Sequence, residues 1–371
     1  MKFSANIADL QATLPKATSV IPTRSTLAQL ENVQFDLKSK KLSIMGTDLE
    51  ICARSSFDVS SKTDGSVSIP AKRLAEIVRS LPEGDINFSL DKTTRRISLV
   101  TAQGNYIMTS AEENDLPDMA KEFKPEGSAP CSAETLKNMI STTIFAASAN
   151  EFRVAMMGVL FQFSPDGTTC VATDGLRLAK ITNPDLKTAV ERDIIVPAKA
   201  ANLVAKSFGD SEEITINFSA TQIEFKSEKT SILSRLIDEQ YPNYEAVIPR
   251  ENQKVMTVSR SAMLSSLKRV MIFSEFDTRQ VRLQLGKNSV TLTADNTEEG
   301  ANAKEEVSCD YNHDDLLIGF NGKQMEESLS HIEGDEVTFK FSTPTRACII
   351  EPVKQSKQEV LMLVMPLRLN A

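Results

Sequence analysis

The residues of this chain that could do chemistry are two histidines, three clusters of acid and a set of basic helical stretches. His313 stands beside Asp314 and Asp315, and His331 closes a helical stretch. Neither has the H-E-x-x-H spacing that puts two imidazoles on one helix face around zinc, and neither has a serine or cysteine placed as a nucleophile. No Gly-rich run of the P-loop or G-x-G-x-x-G type is present to cradle phosphate. The acidic groups Glu112-Glu113-Asp115, Glu298-Glu299 and Glu305-Glu306 have the oxygen chemistry of a magnesium site, but their polar, turn-like surroundings read as solvated surface. Cys52, Cys131, Cys170, Cys309 and Cys348 are odd in number and never form C-x-x-C, against both a disulfide framework and a zinc site. The expectation is a chain with no metal and no cofactor, suited to a reducing cytoplasm.

The basic residues are distributed differently. Lys72, Arg73 and Arg79 outnumber Glu76 on one amphipathic stretch, Lys199 and Lys206 lie on a second, and Arg260, Lys268 and Arg269 on a third. In each the apolar stripe serves the core, so the charges face solvent. An acidic protein, here with formal net charge −8, can in this way offer a locally basic surface to phosphates. Ordinary solvated helix faces are the alternative for any one stretch, and near-neutral neighbouring helices dilute the pattern.

The elements that position these groups recur in three copies. At 371 residues and 41% hydrophobic composition the chain can bury several cores. No apolar run approaches the ~18 residues that span a bilayer, and Asp9 interrupts any leader-like segment, so neither membrane nor secretion is expected. Each copy reads as a helix, a pair of alternating strands, a turn, a strand running into a second helix, and two or three more strands. The first helix carries Ile7, Leu10 and Leu14 in copy one, Leu136, Met139 and Ile140 in copy two, and Leu264, Leu267 and Met271 in copy three. The turn at Thr47-Asp48 recurs 126 residues later at Thr173-Asp174, and Asp174 recurs 121 residues later at Asp295. The clearest turn is Val171–Lys180, read as two strands joined by a tight Asp174-Gly175 dipeptide. Units this long are domains rather than solenoid repeats: an α+β chain of three similar domains, each with two helices packed on antiparallel sheets, bounded at 1–121, 122–251 and 252–371. At the carboxyl end, Pro366 cannot donate to a ladder, so Met365 to Leu369 should leave the sheet at an edge and hold apolar side chains at a surface, as a peptide pocket does.

Taken together, Met1-Lys2-Phe3, Gly46-Thr47-Asp48-Leu49-Glu50, Val171-Ala172-Thr173-Asp174-Gly175, Ile195-Val196-Pro197, Tyr241-Pro242-Asn243-Tyr244, Gly319-Phe320-Asn321 and Val364 to Leu369 resemble the bacterial sliding clamps, the beta subunits of replicative DNA polymerase III, over the whole chain. The resemblance implies a non-catalytic processivity factor with the DNA clamp fold. It implies a head-to-tail homodimer that closes a ring of similar domains around duplex DNA without regard to sequence. Its partners would be the polymerase catalytic subunit, the clamp loader and repair proteins, docking through a linear peptide motif. Residues implied to face DNA are Arg24, Lys72, Arg73, Arg79, Asn150, Lys199 and Lys206, with Lys268 added on charge placement. The implied peptide pocket comprises Met156, Thr173, Gly175, Leu176, Arg177, Leu178, Pro242, Val247, Met325, Leu363, Met365, Pro366, Leu367 and Arg368. Ring-closing contacts are expected at Tyr106 and Met108 on one end and Ile272 and Phe273 on the other. Leu176 stands where the family commonly has histidine, Ala246 where an arginine, Val154 and Ala155 where tyrosines and Ala347 where a serine can stand, and Asn370-Ala371 extend past the usual ending. These departures make the pocket less polar. Competing readings are a magnesium-dependent nuclease or phosphotransferase built on Glu305 and Glu306, and a peptide-binding scaffold with no role on DNA.

Overall fold

The computed structural model describes residues 1–111 and 116–369. Contacts divide the chain into two compact units: unit 1 is Met1–Glu134 with Asn202–Leu236, and unit 2 is Thr135–Ala201 with Ile237–Ala371. The middle repeat is therefore shared between them. Its strands explain this, because each of its sheets is hydrogen-bonded to a neighbouring repeat.

Among the described residues the α-helices are α1 (Ile7–Thr18), α2 (Ala71–Ser80), α3 (Ala133–Ile144), α4 (Ala198–Ser207), α5 (Arg260–Met271) and α6 (Gly322–Ser330). Three of them start at a short polar side chain that caps: Asn6 Oδ1 accepts from Ala8 N at 2.8 Å, Ser259 Oγ from Ala262 N at 3.4 Å, and Asn321 Oδ1 from Lys323 N and Gln324 N at 3.0 and 3.1 Å; α2 follows Pro70 without such a cap. The reading of a helix from Ser4 is corrected. Lys2–Asn6 is a strand paired with Asp85–Asp91, and the helix begins only at Ile7. Pro15 lies inside α1 without ending it.

In unit 1, Ile7, Leu10 and Leu14 of α1 and Leu74 and Val78 of α2 pack with Val33, Phe35 and Ile44 of the adjoining sheet in one core. That sheet has eight strands: the four of the first repeat that surround its hairpin, then four of the middle repeat. The seam is Ile51–Asp58 against Thr230–Arg235, with Cys52 opposite Leu233. In unit 2 the corresponding seam is Arg177–Asn183 against Glu359–Val364, with Leu178 opposite Leu363. Each seam joins the fourth hairpin-sheet strand of one repeat to the last strand of the next.

The carboxyl segment leaves its strand at Val364, as Pro366 requires, but not at a sheet edge: Glu359–Val364 lies between Arg177–Asn183 and Cys348–Pro352. It then returns to the sheet, Leu367 N donating to Gly319 O at 2.8 Å. Asn370 and Ala371 lie outside the described residues.

Candidate functional site

The Val171–Lys180 hairpin closes through Asp174-Gly175-Leu176, three residues and not the expected two, because one strand ends at Thr173 and the next begins at Arg177. Thr173 Oγ1 accepts from Gly175 N at 3.0 Å and donates to Arg177 O at 2.6 Å; Asp174 Oδ1 accepts from Leu176 N at 2.8 Å and Arg177 N at 3.0 Å. Gly175 takes φ +87°, which glycine adopts at least cost, and a Cβ there would stand 2.7 Å from the Arg153 guanidinium, which would have to shift. Arg153 Nη1 donates to Asp174 O at 2.9 Å and ties the 148–157 segment to this loop.

The loop leaves Leu176 56% exposed, beside Met365, whose N–H donates to Leu176 O at 2.8 Å. Val154, Val247 and Met365 are also exposed, Met156, Pro242, Pro366 and Leu367 are half-buried, and Arg368 faces solvent. Beneath them Leu178 and Leu363 share one buried cluster with Leu160, Val171, Ile195, Tyr244 and Ala347, and Ala155 packs against it. Leu178, Leu363 and Met325 are each 2% exposed or less, so they support the surface and do not form it. Thr173 is likewise buried and acts by capping.

Arg177 is held from several sides. It meets the carboxylates of Asp174 (3.2 Å) and Glu327, donates to Phe145 O at 2.7 Å, and its guanidinium carbon lies 5.3 Å from the Phe145 ring centre. Phe145 in turn stacks on His331 with centroids 4.2 Å apart, and His331 Nδ1 lies 2.8 Å from Glu327 O, so it must carry the proton donated to that carbonyl. Phe145, Glu327, His331 and Arg153 were not found by sequence reasoning, since nothing local marks an acid 150 residues from its arginine. His313 packs its ring edge against Tyr311. Neither histidine is placed with a nucleophile.

Tyr244 covers the neighbouring sheet face. Its hydroxyl donates to Gln162 Oε1 at 2.5 Å, Lys180 Nζ stands 5.8 Å from its ring, and burial pushes its pKa up to about 12. Burial also raises the Tyr241 hydroxyl.

The basic residues divide between the units. Arg24, Lys72, Arg73, Arg79 and Lys206 are exposed in unit 1; Asn150, Lys199 and Lys268 are exposed in unit 2. Lys72 and Arg79 line a groove of about 590 Å³ between α1 and α2. Asn150 is used in its own loop, accepting from Phe152 N at 3.0 Å. Lys268 lies 3.7 Å from Glu326, a carboxylate it shares with Lys323 at 3.0 Å. Glu305 receives two hydrogen bonds from Arg269 at 2.6 and 2.7 Å, which hold its carboxyl below the usual range. Glu112, Glu113 and Asp115 lie outside the described residues.

At the ends expected to close a ring, Tyr106 is half-buried and Met108, 4% exposed, faces the unit 1 core. The alternation of the strand turns Ile107 outward at 48%. In unit 2, Ile272 (76%), Phe273 (40%) and Phe276 (77%) are exposed after α5.

Comparison with known proteins agrees with this geometry along the whole chain. Models of the DNA polymerase III beta subunit match in order: its N-terminal domain at residues 1–120, its central domain at 131–243 and its C-terminal domain at 245–368. The beta sliding clamp of Caulobacter vibrioides is 29% identical over 99% of this chain and 100% of its own length, and that of Haemophilus influenzae 27% identical over all of both. The Pseudomonas aeruginosa sliding clamp, DNA polymerase III subunit beta, solved bound to griselimycin, superposes with TM-score 0.94 at 26% identity over all of both chains. The Thermotoga maritima beta subunit, at 24% identity and TM-score 0.91, shares the fold. With three successive domain models accounting for nearly all of its residues, this chain belongs to the DNA polymerase III beta subunit family.

Proposed function

We propose that two copies of this chain close head to tail into a ring around duplex DNA and tether DNA polymerase III and its other partners through the unit 2 pocket. As a member of its family the chain serves DNA polymerase III as a sliding clamp and carries out no reaction of its own. The observation that carries the ring is the pattern of seams. The last strand of repeat two pairs with the fourth strand of repeat one, and the last strand of repeat three with the fourth of repeat two. The last strand of repeat one, Asn105–Thr109, is the edge of its sheet, and Ala301–Ser308 in the fourth strand of repeat three has a partner strand on one side only. A third seam formed from these two edges between copies is a heterologous contact that closes.

The two seams fix its register. Ile232 opposes Ala53 and Met362 opposes Ala179; their counterparts by strand pairing are Tyr106 and Ala303. Tyr106 of one copy therefore lies opposite Ala303 of the other, with Ile107 opposite Asn302. The exposed Ile107, Ile272, Phe273 and Phe276 supply apolar area for the contact. Tyr106 and Met108 lie on the core face of this edge strand, and Ile107 adds the outward face to the contact.

Within the ring, Arg24, Lys72, Arg73, Arg79, Lys199 and Lys206 contribute sequence-independent phosphate attraction, and Asn150 a polar contact. Lys268, which shares Glu326 with Lys323, contributes less. The domain boundaries follow the repeats at 1–121, 122–251 and 252–371, the clamp loader and repair proteins share the pocket, and the protein works in the cytoplasm. Light scattering tests the assembly: about twice 40.8 kDa supports it, and a monomer at micromolar concentration contradicts it. Ile107→Asp should shift that mass to the monomer while leaving the monomer folded.

A further inference from the structure

On the reading that partners dock at Leu176, we infer that Glu327 of α6 is a positioning residue for that pocket, setting the place of the Leu176 rim through Arg177. Arg177 follows Leu176 directly, and its side chain is only 13% exposed. Each of its guanidinium nitrogens already donates within the chain: Nε to Asp174 Oδ2 at 3.2 Å, Nη1 to the Glu327 carboxylate, and Nη2 to Phe145 O at 2.7 Å. Although Arg177 belongs to the expected pocket, it works as a strut beneath the rim.

Its three acceptors belong to three elements. Asp174 lies in the hairpin loop, where its Oδ1 also accepts from Leu176 N and Arg177 N at 2.8 and 3.0 Å. Phe145 follows the last residue of α3, and Glu327 stands in the last turn of α6. His331 closes the circuit: its Nδ1 lies 2.8 Å from Glu327 O, and its ring stacks on the Phe145 ring that Arg177 also meets. In repeat one the register puts Ile51 at the position of Arg177, buried at 2% in the sealed seam. An apolar residue is therefore enough to build a seam of this kind. A largely buried ion pair adds little net stability over an apolar residue of similar size, but its hydrogen bonds have direction. At the open seam that direction fixes where the loop, and Leu176 with it, stands relative to α3 and α6. Removing the Glu327 carboxylate leaves Arg177 its loop and α3 acceptors and cuts the tie to α6.

The test uses full-length protein and a fluorescein-labelled probe, the tightest binder among overlapping peptides that tile the DNA polymerase III catalytic subunit. Glu327→Ala should weaken its binding about fivefold, and Glu327→Asp, which keeps the carboxylate, should recover most of the loss. Lys323→Ala removes the cation 3.7 Å from Glu327 and should leave affinity unchanged. Hydrogen exchange without peptide separates positioning from contact. The Leu176 and Arg177 amides should exchange faster in Glu327→Ala, while those of Glu50 and Ile51, held alike by Asp48 in unit 1, keep their rates. Unchanged affinity, a loss without faster exchange at Leu176 and Arg177, or an equal loss in the aspartate variant would overturn this role. Leu176→Asp tells the two readings apart. If it abolishes binding while Glu327→Ala does not, the positioning role alone falls; if it binds as the parent does, or no peptide binds the parent, the pocket itself falls and the role of Glu327 with it.

Discussion

The seams of units 1 and 2 are built from the same parts, yet one is sealed and the other is open. At both, a threonine caps a three-residue loop and an aspartate accepts from two amides: Thr47 and Asp48 with Glu50 N and Ile51 N at 3.0 and 2.7 Å, Thr173 and Asp174 with Leu176 N and Arg177 N. At both, the last strand of the next repeat donates to the loop, Arg235 N to Glu50 O at 2.9 Å and Met365 N to Leu176 O at 2.8 Å. The side chains differ. Unit 1 sets Glu50 and Arg235 at the surface, Arg235 Nε bonding Leu49 O at 3.2 Å, and packs Leu116, Met119 and Phe123 on its buried residues. Unit 2 sets Leu176 and Met365 there and leaves them exposed. Backbone hydrogen bonding makes the seam, and a few substitutions decide whether it binds anything.

The largest effect should come from moving the buried residue of one seam into the other. Ile51 is 2% exposed, and Ile51→Arg would place a guanidinium there without the carboxylate pair that Arg177 has, costing about 3–5 kcal/mol in urea unfolding. A small loss would mean that the two seams are less alike than their registers indicate. The reverse change, Arg177→Ile, removes the donor to Phe145 O and leaves Glu327 only Lys323 at 3.7 Å, and should cost about 2–3 kcal/mol. Leu176→Glu with Met365→Arg copies the surface of unit 1 onto unit 2. Stability should move by no more than about 0.5 kcal/mol, because both positions are exposed, while affinity for a polymerase-derived peptide falls about tenfold by calorimetry. Unchanged affinity would place the peptide elsewhere.

Smaller effects sharpen the same contrast. Gly175→Ala meets both a positive φ and the Arg153 guanidinium and should cost about 1 kcal/mol, whereas the counterpart Leu49 already tolerates φ 75°. Tyr244 supplies a pH dependence confined to unit 2. Its folded pKa, about 12, lies above the ordinary tyrosine value, so its contribution is complete below pH ~10 and is lost as pH rises toward 12. A urea midpoint that falls over that interval, and does so less in Tyr244→Phe, is the expected result; equal pH dependence in both proteins would count against it.

Much of this contrast was legible in the chain because periodicity reports burial on one face. The stripes of α1 to α6, the alternating hairpin strands and the recurrence of the Thr-Asp turn all come from residues whose environment is one-sided. Strands without that asymmetry were missed. Ile51–Asp58 is buried on both faces through its first half, and Ala301–Tyr311 alternates in burial but with mostly polar side chains, so in neither does hydrophobicity alternate as in an amphipathic strand. Lys2–Asn6 was absorbed into the helix it precedes, since five residues carry too little period to separate them. At the pocket, the apolar rim could be anticipated from Pro366 and the residues around Leu176. The Arg177 network could not, because Glu327 and His331 reach it only through tertiary packing. In the strand Asn105–Thr109 one residue exchanges the core face, which carries Met108, for the open one, which carries Ile107.

Topological retention on DNA tests the central claim most directly. Protein assembled on nicked circular duplex should stay bound through gel filtration at a salt concentration that abolishes simple phosphate attraction, and should be released when one restriction cut linearises the circle. Equal retention on circle and line, or release from both at that salt, would contradict a closed ring.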